Sequence, residues 1–176
     1  TKSGDVWTGT VNFSNDGHYI LKLNYSDRST NKMEEYVSGE IIIDEYDPVI
    51  EVSYSPDKEV YSSGERKYYN EEQTATIKIT EHNFDPSNVE VVLTAEDIDG
   101  NTIDVSNIVS QLSSNSAWKS DGDVHTATIR YSEDANYTFS ISCTDPSERV
   151  SAEYTPDEFT VDKSAPTNFS VNIKTD

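Results

Sequence analysis

The chain has 176 residues, of which 33 are acidic and 13 basic; its formal charge is −20 and 34% of it is hydrophobic. That charge argues against nucleic acid and anionic membranes as partners, since both demand a basic face, and no run of eighteen apolar residues offers a membrane span. A single cysteine, Cys143, excludes a disulfide-stapled scaffold, so stability has to come from packing.

The apolar content is low, but the apolar residues are β-branched or aromatic and alternate strictly with polar ones. A disordered acidic tail would be poor in both features. No stretch has signal-peptide character, so a secreted parent would carry that segment elsewhere. Period-2 alternation predicts strands in chain order. Residues 5–14, 18–26 and 37–44 are the first three. Asp44-Glu45-Tyr46-Asp47-Pro48 then reads as a joint in which proline keeps the chain extended. Stretch 50–54 turns Ile50, Val52 and Tyr54 to one face. Stretch 74–80 turns Ala75, Ile77 and Ile79 inward and leaves Lys78 outward, which gives no support to an isopeptide from that lysine. Val89, Val91, Leu93 and Ala95 follow. Residues 106–114 are the only helical candidate, of one or two turns. Then come His125, Ala127, Ile129 and Tyr131; Tyr137, Phe139, Ile141 and Cys143; and Phe159 with Val161. Residues 163–176 read as one more strand, with Phe169, Val171 and Ile173 inward. Turn signals such as SSG, DPS, DIDG and TDPS separate these runs.

The chain also repeats itself. GDVWTGTVNFSNDGHYILKLNYSD (4–27) aligns with GDVHTATIRYSEDANYTFSISCTD (122–145), with nine of twenty-four positions identical at an offset of 118 residues. The same offset pairs Asp44 with Asp162 and Pro48 with Pro166. A period of that size is one small domain rather than a solenoid repeat. The expected fold class is therefore all-β: an immunoglobulin-like antiparallel β-sandwich of about seven strands, in tandem array. Residues 1–44 would be the last three strands of a preceding repeat, 45–162 a complete domain, and 163–176 the first strand of a following repeat. Tyr19 and Tyr137 each open a strand after an acidic turn, the position of a tyrosine corner. Three strands alone would leave an apolar face in water. Strand-swapped self-association through 1–44 and 163–176, or missing strands of a longer parent, would cover it.

ATIKITEHNFDPSNVEVVLTAEDIDGN (75–101), the stretch 122–145 and FTVDKSAP (159–166) resemble the bacterial immunoglobulin-like repeats of large Gram-positive cell-surface proteins. The chain departs from them after Asp145, where Pro146-Ser147-Glu148-Arg149 replaces a common Ala-Gly-Asn turn and is expected to alter only a loop tip. The resemblance implies a stalk or adhesin module, extracellular at the bacterial cell surface or cell wall.

Few residues carry candidate chemistry. Asp97, Asp99, Asn101 and Asp104 alternate oxygens around a glycine, as part of a calcium loop would, but Asp-Gly and Gly-Asn equally make a tight hairpin turn, which is the preferred reading. The acidic joints invite calcium too, but Lys163 stands in the second one. Tyr68, Tyr69 and Trp118 could form an aromatic platform for sugar rings, or else cover the edge and end of the sandwich. His18, His82 and His125 lack metal-ligand spacing; His125 is expected half-buried on its strand. Cys143 is expected to be a buried small hydrophobe. No acid, base and nucleophile converge, so no enzyme is expected, and no cofactor. The expected role is a non-catalytic spacer or stalk. The alternative is an adhesin or carbohydrate-binding module with a host or glycan ligand. Neighbouring repeats of the same parent chain are the expected partners.

Overall fold

The computed structural model describes residues 1–64, 66–167 and 170–172, the side chains of residues 155 and 156 aside. Two compact units divide the chain, Thr1–Tyr46 and Asp47–Asp176.

In the first unit, β1 (Lys2–Ser3) and β2 (Val6–Trp7) form a short antiparallel ladder. Gly4, at φ +59°, supplies the left-handed position of their two-residue turn. β3 (Gly17–Leu23) pairs antiparallel with β4 (Tyr36–Ile43). The strand expected over 5–14 is thus only two residues long; its remaining length has no ladder partner within the described residues of this unit. Phe13 packs on Tyr19 with ring centroids 4.7 Å apart. Trp7, Val11, Ile20, Leu23, Tyr25 and Tyr36 are all exposed, so the unit keeps an apolar surface.

The second unit contains β5 (Val49–Ser55), β6 (Tyr61–Ser63), β7 (Arg66–Tyr69), β8 (Gln73–Thr80), β9 (Val89–Glu96), α1 (Ser106–Leu112), β10 (Lys119–Asp121), β11 (Val124–Tyr131), β12 (Ala135–Cys143) and β13 (Tyr154–Val161). It is all-β apart from α1 and two single 3₁₀ turns. One sheet runs β10-β11-β8-β5 and the other β6-β7-β13-β12-β9. The alternation read from sequence becomes burial. Ala75, Ile77 and Ile79 from β8, Ala127, Ile129 and Tyr131 from β11, and Tyr137, Phe139, Ile141 and Cys143 from β12 are all under 4% exposed. Both sheets turn these residues onto one core. Each fully buried aliphatic or aromatic side chain contributes roughly 1.5–3 kcal/mol.

Three features depart from the expectation. β7 pairs parallel with β13, in the register Phe159↔Lys67 to Val161↔Tyr69, so the second sheet is not wholly antiparallel. Residues 66–69 lack clear alternation; it is the edge of β13 that makes them a strand. β13 itself begins at Tyr154, five residues earlier than expected. Residues 163–167 and 170–172 form no strand, because nothing among the described residues pairs with them. Val171 is exposed rather than inward, while Phe169 and Ile173 lie outside the described residues.

The repeat persists at the level of the ladder. Gly17↔Ile43, His18↔Ile42, Tyr19↔Ile41, Ile20↔Glu40 and Leu23↔Tyr36 in β3/β4 match Ala135↔Val161, Asn136↔Thr160, Tyr137↔Phe159, Thr138↔Glu158 and Ile141↔Tyr154 in β12/β13, each 118 residues later. Each ladder carries one irregularity in register, between Ile20 and Lys22 in β3 and between Phe139 and Ile141 in β12. Gly122, at φ +59°, turns β10 into β11 as Gly4 turns β1 into β2.

Candidate functional site

Side-chain hydrogen bonds repeat with the same offset. The Tyr137 hydroxyl donates to the Glu133 carbonyl at 3.0 Å and the Tyr19 hydroxyl to the Asn15 carbonyl at 2.7 Å. Both reach four residues back across the turn that opens the strand. Asp134 then clamps the chain leaving β13. Its Oδ1 accepts from the Lys163 backbone N–H at 3.1 Å and its Oδ2 from the Ser164 hydroxyl at 2.6 Å. The Lys163 ammonium donates to the Ser132 carbonyl. These bonds, that from Ser164 foremost, hold the Asp134 carboxyl below the usual carboxylate range. In the first unit Asp16 Oδ1 accepts from the Glu45 N–H at 3.2 Å in the corresponding place. The lysine that stands where the joint might have had an acid is therefore part of the clamp.

Three loops share one construction. An aspartate receives two backbone N–H groups on Oδ1, from positions two and four residues ahead: Asp27 from Ser29 and Asn31, Asp97 from Asp99 and Asn101, Asp145 from Ser147 and Arg149. In each, the residue three ahead has positive φ: Thr30 at 67°, Gly100 at 84° and Glu148 at 65°. This is a type I turn closed by a left-handed residue. In the first two loops the asparagine side chain also donates to Oδ2, at 2.8 Å for Asp27 and 2.9 Å for Asp97. That amide bond, with the backbone donors, holds both carboxyls below their ordinary range. Asp97 and Asn101 are thus bonded to each other within a hairpin turn, Asp99 contributes its N–H, and Asp104 accepts from the Ser106 N–H at the start of α1.

The third loop differs. Arg149 stands where the others have asparagine, and its guanidinium reaches out to Asp47 at 3.2 Å. Asp145 is 3% exposed and its Oδ2 has no hydrogen-bond partner. The variation after Asp145 therefore does more than alter a loop tip: it orphans a buried carboxylate oxygen. Glu81, 5% exposed, places a carboxylate oxygen within 4.8 Å of one from Asp145. Glu81 Oε1 accepts from the Asn83 N–H at 2.7 Å. Both acids were passed over in sequence. The signal available was the Asp-x-x-x-Asn spacing, present at 27–31 and 97–101 and broken at 145–149.

The remaining candidates lie apart from one another. Trp118 is 9% exposed; its indole N–H donates to the Leu112 carbonyl at 2.7 Å and its ring meets Phe84 edge-on. Tyr69 is buried against Phe159. Neither offers a free ring to a sugar, which leaves only Tyr68 beside the exposed Tyr61, centroids 5.5 Å apart. His125 is buried rather than half-buried. It stacks on Phe84, Nε2 bonds the Glu81 carbonyl at 2.9 Å, and Nδ1 meets the Ser120 hydroxyl at 2.8 Å. Because the carbonyl can only accept, Nε2 carries a proton and donates to it. Ser120 and His125 face each other across β10/β11 as a ladder pair. His82 pairs with Asp123 at 2.8 Å on the surface. Burial pushes the Cys143 thiol up to about 12, with the Glu81 and Asp145 charges adding to it, which makes it a poor nucleophile.

No helix among the described residues is long and apolar enough to cross a membrane. No family model, no curated protein and no solved structure matches the chain.

Proposed function

We propose that the chain is a segment of a tandem array of immunoglobulin-like repeats and serves as a non-catalytic spacer at a bacterial cell surface. The observation that carries this reading is the 118-residue repetition of strand register, turn conformation and side-chain clamps. A unit copied down to single hydrogen bonds is one whose value lies in being copied. Sheet order supports the immunoglobulin-like assignment. β5, β8, β11 and β10 correspond to strands A, B, E and D, and β9, β12 and β13 to C, F and G, with β7 as an added edge strand beside G. Tyr137 opens F, where that fold has its tyrosine corner. The first unit then corresponds to strands D to G of a preceding copy, whose apolar face its own missing strands would cover.

The chemistry of the second unit fits a spacer better than a catalyst. A nucleophile needs a base and also donors for the developing charge. Around Ser120 and His125, the structure shows a hydrogen-bonded ladder pair in which the ring's two nitrogens meet the Ser120 hydroxyl and the Glu81 backbone carbonyl. The acidic surface keeps neighbouring copies of such a stalk apart.

Pulling a longer fragment of the parent chain in a force spectrometer tests the reading. Each copy releases 118 residues, which extends the tether by roughly 400 Å per unfolding peak. Irregular spacing would sink the array. Screening the present chain on glycan and host-protein arrays tests the rival adhesin reading: a spacer gives no signal, and a saturable hit that Tyr61→Ala removes would replace this proposal.

A further inference from the structure

The outer edge of β9 is begun as a hairpin and then abandoned. Thr102 bridges Glu96, and the Ile103 N–H donates to the Ala95 carbonyl at 2.8 Å. The chain then turns away at Asp104, whose carboxylate accepts from the Ser106 N–H at the start of α1. Backbone groups on one side of a strand recur every second residue, so the N–H and C=O of Leu93 and Val91 point to the same side as the Ala95 carbonyl. β9 ends its sheet, and its ladder partner is β12, in unbroken register from Glu96 to Val89. Among the described residues nothing bonds those groups of Leu93 and Val91. An eight-residue edge with neither lysine nor proline is a ready template for another strand; the β6 and β10 edges are only three residues long. Beside it lies an open groove of about 670 Å³, lined from β9, from α1 and from the segment between them. Ile103, Val105 and Val109 are half-buried there and Val92 is exposed. Among the described residues that line it, Asp104 carries the only charge, and Glu90 is exposed on β9 toward the far end.

We propose that this edge binds an extended cationic peptide as an added antiparallel strand, with apolar residues entering the groove and basic residues answering Asp104 and Glu90. The added strand continues the line that Thr102 and Ile103 begin. Its residues opposite Leu93 and Val91 exchange backbone hydrogen bonds with them, and their side chains fall on the same face as those of Leu93 and Val91, toward the groove. The residue between them faces outward beside Val92. The next outward residue falls opposite Glu90, where an opposite charge stabilises the pair. A basic peptide fits this edge better than a second copy does, because two chains of charge −20 repel. The inference goes beyond the spacer reading and requires only the second unit. A spacer can carry a docking edge, and binding here is indifferent to Tyr61→Ala.

The test is titration of the full chain with the peptide acetyl-Lys-Val-Thr-Val-Lys-Val-Thr-amide, read by calorimetry and by amide exchange. Expected is one saturable site with Kd below about 1 mM, and exchange at the Val91 and Leu93 amides slowed at least tenfold at saturation. The valine N–H groups point at β9 in this register and those of lysine and threonine point away. A peptide N-methylated at its valines therefore loses binding, while one N-methylated at its lysines and threonines keeps it. Replacing both lysines by glutamate abolishes binding. Glu90→Lys weakens the parent peptide about threefold to tenfold, whereas Glu34→Lys, which changes the chain's net charge equally but lies in the first unit, leaves Kd unchanged. Circular dichroism of both variants establishes that they are folded. Four results overturn the proposal: no saturable binding; equal binding by the two N-methylated peptides; equal weakening by Glu90→Lys and Glu34→Lys, the mark of diffuse attraction to an acidic chain; or, without peptide, a dimer by sedimentation in which the Val91 and Leu93 amides are already protected, which would make a second copy the occupant.

Discussion

Tyr131 and Tyr137 meet edge to face with ring centroids 4.9 Å apart, and both are at most 3% exposed. Replacing each by phenylalanine moves stability in opposite directions, because the rings are equivalent and the hydroxyls are not. The Tyr137 hydroxyl donates to the Glu133 carbonyl at 3.0 Å. Its loss removes a hydrogen bond and leaves a part-buried acceptor, a cost of about 1–2 kcal/mol. The Tyr131 hydroxyl is buried with no partner. Deleting it removes a desolvated polar group with no bond to lose, a gain of about 1 kcal/mol. For a unit of this size those figures correspond to melting shifts of about −3 to −8 °C and about +3 to +4 °C. Urea unfolding followed by tryptophan emission reads the second unit selectively, since Trp118 is buried there while Trp7 of the first unit is 75% exposed. If Tyr131→Phe destabilised by as much as Tyr137→Phe, the reasoning from hydroxyl satisfaction would be refuted.

Glu148 occupies the left-handed region at φ 65°, where its Cβ is unfavourable and glycine is not. Glu148→Gly raises the urea midpoint, by a net gain of roughly 0.5–1 kcal/mol; a fall would show that its side chain makes a compensating contact. The Cys143 thiol lies at about 12 in the folded protein against an ordinary 9.0. The folded state thus keeps its proton where the unfolded chain has lost it, so this group's contribution is whole below about pH 9 and declines as pH climbs toward 12. Cys143→Ala flattens that alkaline decline, and at pH 8 a thiol reagent labels the native protein far more slowly than the urea-unfolded chain. Asp134→Ala frees the segment leaving β13: amide exchange quickens at residues 163 and 164 while β8 and β12 stay protected. Unchanged exchange there would show that the clamp restrains nothing.

Much of the fold was legible because it obeys a short-range rule. Alternation with period 2 says which side chain faces inward without reference to the partner strand, so Ala75, Ile77, Ile79, Tyr137, Phe139 and Ile141 could be placed on the core face before any sheet was known. The tyrosine spacing was legible for the same reason, since its hydroxyl closes on a carbonyl only four residues back. What depended on distant pairing was not. Residues 66–69 become a strand through the edge of β13, some ninety residues later, and Tyr69 and Trp118 go from possible surface platform to packed interior through neighbours that no local pattern names.

The chain's amino-acid order alone determined the repeat, the strand character and the inward faces of the central strands, because each is written within a few residues or in plain self-similarity. Only the tertiary structure decided that Glu81, on the turn after β8, comes within 4.8 Å of Asp145, in the loop after β12. Sixty-four positions separate them in sequence, and nothing local ties one to the other. Two sheets closing on one core bring both acids to the same end, where both are buried.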